Sequence, residues 1–153
     1  MPGKMKGISL LEMLLVITIG AAIIMTSVRY FSVTSRSLRV THAIKQIKTL
    51  TQISYQWLEI QKQDGFGTED GGDAITLQAL VDSGLLQDTD RNTKDPWAGQ
   101  ISLEPGSDPT RVKITLAKVP QKACKYLARQ LDDISSTSTP DCSSSLNNYN
   151  GEF

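Results

Sequence analysis

The chain is short of nearly everything an active site is usually built from. In 153 residues it has one histidine, His42, and two cysteines, Cys124 and Cys142. It has no C-x-x-C, no G-x-S-x-G, no phosphate-binding glycine loop and no dinucleotide glycine signature, so the common motifs for metal, acyl-transfer and nucleotide chemistry are missing. A histidine with no cysteine or base near it reads as a surface or packing residue. No enzyme activity and no cofactor are expected. Excess charge is missing too: 16 Lys+Arg face 16 Asp+Glu, which gives no gross attraction to nucleic acid. There is no proline between Pro2 and Pro96, so none interrupts a helix there. Large apolar residues are scarce beyond about Arg29. The core of that part must be thin, and such a domain needs a staple or an assembly partner.

What the chain does have is an apolar run from Ile8 to Val28, 21 residues with one charge, Glu12. As a helix it is about 31 Å long, enough to span a bilayer core. A lone carboxylate there costs about 2.5–3.5 kcal/mol on insertion scales and implies a job and a partner. Three readings compete: an ordinary signal peptide cut near Gly20, Ala21 and Ala22, a plain single-pass anchor, or a leader cut before the run. Glu12 disfavours the first, because an h-region should be uncharged. Lys4 and Lys6 precede the span, but Arg29, Arg36 and Arg39 follow it, so the positive-inside rule leaves the orientation open. A cut between Gly7 and Ile8 would put a new α-amino group one helical turn from Glu12.

The stretch Lys6-Gly7-Ile8-Ser9-Leu10-Leu11-Glu12-Met13-Leu14-Leu15-Val16-Ile17 resembles the class III signal of type IV pilins and their relatives. The resemblance implies a leader of residues 1–7, cut after Gly7 by a prepilin peptidase that methylates Ile8. It implies that Glu12 is the assembly carboxylate, pairing with the charged N-terminal Ile8 of a neighbouring subunit. It also implies a membrane or filament-core half-helix over 8–30 and a pilin globular domain over 31–153. The partners it implies are identical or related pilin subunits, the peptidase and an inner-membrane assembly platform, with the chain first in the inner membrane and then in an extracellular filament. Ile8 stands where Phe or Met is commoner in the family.

Beyond the run the pattern becomes amphipathic. Val40, Ala43, Ile44, Ile47, Leu50, Ser54, Trp57 and Ile60 recur at helical spacing, and the spacing predicts one helix from about Ser9 to Gln63, stopped by Asp64-Gly65-Phe66-Gly67. In the family a proline partway along often loosens this helix; here Gly20 and the stretch Thr26 to Ser37 are the nearest substitutes. Arg36, Arg39, Lys45 and Lys48 form a basic stretch, read as a solvated face or as a surface pairing with acids of a neighbouring subunit.

Thr76 is expected to cap a short helix, Leu77 to Ser83, that Gly84 ends. Asp95-Pro96-Trp97-Ala98-Gly99 opens a β region with Trp97 as a buried plug. Gln100 to Glu104 and Arg111 to Leu116 read as an antiparallel hairpin. Val119-Pro120 ends its second strand, and Lys122 to Leu131 as a helix presents Ala123, Tyr126, Leu127 and Leu131. A strand near Ser145 to Tyr149 is weakly signalled. Two cysteines behind a membrane-targeting segment read as one disulfide, Cys124–Cys142, in an oxidising compartment. The fold class is therefore α+β, a long helix packed on a small antiparallel sheet.

Trp97 to Ile101, Val112 to Leu116, Val119-Pro120 and Ala123-Cys124 resemble the C-terminal region of type IVb pilins of the conjugative thin-pilus kind. Those often carry two glycines after the aromatic residue; here Ala98 takes one place. The resemblance implies that the disulfide bounds a variable surface region. Asp88, Asp90 and Asn92 alternate like the start of a calcium loop, but Thr93 replaces the sixth-position glycine and Gly99 the closing glutamate, which favours a solvated turn. Glu69, Asp70 and Asp73 read the same way. Two rivals to a pilin subunit stand: a type II secretion pseudopilin, and a single-pass periplasmic binding module that never polymerises.

Overall fold

The computed structural model describes residues 9–67, 74–89, 93–135, 140 and 142–153. In chain order they form α1 (Leu10–Gln61), α2 (Leu77–Asp82), β1 (Ile101–Pro105), β2 (Val112–Pro120), α3 (Gln121–Leu131) and β3 (Leu146–Glu152). The chain divides into two units, Met1–Leu38 and Arg39–Phe153.

In the first unit the described residues are helical from Leu10 onward, and their apolar side chains are exposed: Leu10, Met25 and Phe31 are 79, 70 and 75 % accessible. Four hydroxyls along this stretch bond back to the helix itself. Thr18 donates to the Leu15 carbonyl at 2.9 Å, Thr26 to Ile23 at 2.9 Å, Ser27 to Ile23 at 2.8 Å and Ser32 to Arg29 at 2.9 Å. Hydroxyls bonded back to their own helix need no water, so they do not oppose burial in an apolar medium. This is a helix long and apolar enough to cross a membrane.

The second unit is built on the amphipathic stretch of α1. Val40, Ala43, Ile47, Leu50, Ser54 and Trp57 are buried, an alternation of three and four that keeps one stripe facing inward. Ile60, on the expected stripe, is 59 % exposed; the helix ends just beyond it. Ser54 is accommodated because its hydroxyl donates to the Leu50 carbonyl at 2.8 Å. The helix stops earlier than the glycines suggest. Lys62 adopts φ 54, and the Lys62 and Gln63 N–H groups turn back to the Glu59 and Leu58 carbonyls. That is a Schellman end with lysine where glycine is usual.

Against the stripe packs a three-stranded antiparallel sheet in the order β1-β2-β3. Its buried positions alternate: Ile101 and Leu103 on β1, Val112, Ile114 and Leu116 on β2, Asn147, Tyr149 and Gly151 on β3. β2 runs on past Leu116 to Val119-Pro120, the pair expected to end it. A bulge shifts its register between Leu116 and Val119, with Lys118 at φ 59. The weakly signalled last strand is seven residues long. Its asparagines disfavour strand, and pairing along β2 with Tyr149 buried overrides them.

α2 has the expected ends: Thr76 Oγ1 accepts from the Ala79 N–H, and Gly84 takes φ 74. On α3 the buried residues are Cys124, Leu127 and Leu131. Tyr126, expected on that face, is 52 % exposed, because at about 100° per residue it sits roughly 100–160° around the helix from Cys124, Leu127 and Leu131.

Candidate functional site

Glu12 lies in the first turn of α1, whose bonds start with the Glu12 N–H reaching the Ser9 carbonyl at 2.9 Å. A carboxylate there complements the helix dipole, and the Ser9-x-x-Glu12 spacing is that of a capping box. Glu12 is solvent-accessible in the isolated chain and is the only acid on α1 before Glu59. Gly7 and Ile8, the expected cleavage and methylation residues, lie outside the described residues.

Cys124 and Cys142 form a disulfide with Cα atoms 5.8 Å apart, 18 residues apart in sequence. It joins the first half of α3 to the segment leading into β3. Beside it, Asn147 is held locally: its Oδ1 accepts the Ser144 N–H at 2.9 Å and its Nδ2 donates to the Ser144 carbonyl at 2.8 Å.

The remaining sequence candidates are not brought together. His42, Arg36, Arg39, Lys45 and Lys48 are all exposed on α1, and Asp88 is exposed beyond α2. Asp90 and Asn92 lie outside the described residues, as do Glu69, Asp70 and Asp73. No metal-capable cluster of three or more acidic, histidine or cysteine side chains occurs among the described residues.

The sequence reading passed over Asp95. The residue is 5 % accessible, and its Oδ1 accepts the Trp97 N–H at 2.9 Å and the Gly99 N–H at 2.7 Å. The Asp95 N–H in turn donates to the Gly99 carbonyl at 2.9 Å. Burial pushes the carboxyl's pKa up; the N–H groups of Gly99 and Trp97 and the charge of Lys118 oppose it. Oδ2 has no hydrogen-bond partner. The available signal was an Asp-Pro followed by a glycine three residues later, a side-chain-capped turn. This loop holds Ala98 at φ 61, a left-handed conformation that glycine usually supplies. Trp97 is half-buried against the core rather than the fully buried plug expected.

The sequence matches no protein-family model, and no curated protein matches it significantly.

Proposed function

We propose that this chain is a type IV pilin-like structural subunit, held by its first helix in the inner membrane and then built into a filament. The observation that carries the reading is an exposed apolar helix with one carboxylate in its first turn. An apolar helix with every side chain accessible must find lipid or copies of itself. A lone acid on it needs a cation at the same depth. The N-terminal amine released by a cut after Gly7 is the cation nearest in sequence, and supplied by a neighbouring copy it would set register between subunits more than it adds stability. The hydroxyls that bond within the helix support transfer between lipid and a protein core. The Cys124–Cys142 bond favours a pilin over a type II secretion pseudopilin, whose members usually lack it.

Glu12→Gln separates this role from a merely local one. Glutamine preserves the capping-box geometry but removes the charge. The variant is expected to insert into the membrane normally and to yield no sheared filaments. Filaments in wild-type numbers would end the docking account.

A further inference from the structure

At one end of the sheet in the Arg39–Phe153 unit lies an open groove of about 410 Å³, walled by Trp97, Pro120 and Leu146 and bordered by Arg39 and Lys118. Leu146 is 59 % exposed there. Two of the three non-glycine residues with positive φ among the described residues, Ala98 and Lys118, line it. Left-handed backbone at such residues is strained and tends to gather at binding sites. The Asp95 carboxylate, hydrogen-bonded to the loop's N–H groups, fixes the shape from beneath.

We propose that this groove captures the free C-terminal carboxylate of an extended partner peptide that ends in an apolar residue. The lining holds two cations and no carboxylate, amide or hydroxyl side chain. It complements a negative charge on an apolar body, whereas a sugar or a nucleotide base would leave its polar edge against apolar walls. Arg39 and Lys118 take the carboxylate, and Trp97, Pro120 and Leu146 take the terminal side chain. Leu146 also begins β3, which is an outer strand. Val112 and Phe153 exchange both backbone bonds, so by alternation Asn148 and Asn150 turn their backbone groups away from β2. Both residues are exposed, and no described residue pairs with their backbone on that side. An extended peptide can therefore add to β3 and deliver its end to the groove, the strand-addition mode of recognition. Phe153 is itself buried and bonded to Val112, so that residue of a second copy is not the occupant.

The test uses the unassembled full chain in detergent micelles, so it does not depend on filament formation. A labelled hexapeptide ending in Val-Leu with a free carboxylate is titrated by anisotropy beside its C-terminal amide and beside an amidated version carrying an internal aspartate. The free acid is expected to bind, and both amidated forms to bind about tenfold more weakly or less. Arg39→Gln and Lys118→Asn, the latter tolerant of a left-handed backbone, should each weaken the acid by about the same factor with unchanged circular dichroism. Arg39 is on the exposed face of α1, so its variant reports even if the Lys118 variant misfolds. Equal affinity for acid and amide, equal affinity for the internal aspartate, no binding at millimolar peptide, or an indifferent Arg39→Gln would each overturn the proposal.

Discussion

Asp95 and Gly99 close one turn from both ends: the carboxylate accepts the glycine N–H at 2.7 Å, and the glycine carbonyl accepts the Asp95 N–H at 2.9 Å. Asp95→Ala removes the acceptor shared by two N–H groups, one of them buried. It should cost about 2–3 kcal/mol, read as a lower midpoint in urea. Asp95→Asn keeps an acceptor and tests the pH dependence. Burial raises the folded pKa above the ordinary 3.8, so the folded state binds the extra proton. The carboxyl's contribution is fully present below that ordinary value and is lost as pH rises through the folded pKa. The stability difference between Asp95→Asn and wild type should therefore shift in favour of the asparagine variant as pH rises through that window. A difference that is flat with pH would mean the buried carboxyl has no raised pKa.

Gly99 cannot carry a side chain. A β-carbon there would overlap the Ala117 carbonyl oxygen on the bulged part of β2. Gly99→Ala is expected to destabilise by about 3 kcal/mol or more. Ala98→Gly, by contrast, relieves a left-handed alanine and should change stability by less than about 1 kcal/mol. Thermal melts of the two variants check the contrast, and equal losses would contradict it.

The disulfide closes the segment that carries the end of α3 and the approach to β3. Cys142→Ser leaves the fully buried Cys124 thiol in an apolar place where it is tolerated. The loss should be about 3 kcal/mol, the entropy of a loop of that size. Reductant should lower the wild-type midpoint to that of the variant and leave the variant unmoved.

Long periodic elements were legible in the sequence because their signal is repeated. The stripe from Val40 to Trp57 appears at nearly every expected position, and Thr76 and Gly84 bound α2 as their chemistry dictates. What escaped was set by tertiary contact. β2 ends at Val119-Pro120 as expected, but the bulge before them, which lets them pair with Asn147 and Leu146, was not signalled. β3 is a strand despite its asparagines because of its pairing along β2. Lys62 ends α1 in a conformation that glycine normally supplies. Of the candidate site, the disulfide and the apolar helix with Glu12 could be read from residue types. Asp95 carried a signal in its Asp-Pro and following glycine, but Lys118 and the groove could not be read, since Arg39, Trp97, Lys118 and Leu146 are brought together only by the fold.

The proposed assembly rests on a fresh amine at Ile8, one turn from Glu12 of its own chain and paired with Glu12 of the next copy. Intact-mass and N-terminal peptide mass spectrometry of the protein isolated from its native membrane measures this directly. The expected result is a chain that starts at a methylated Ile8 and lacks residues 1–7. A mature chain that retains Met1 or Lys4, or that begins beyond Glu12, would contradict it.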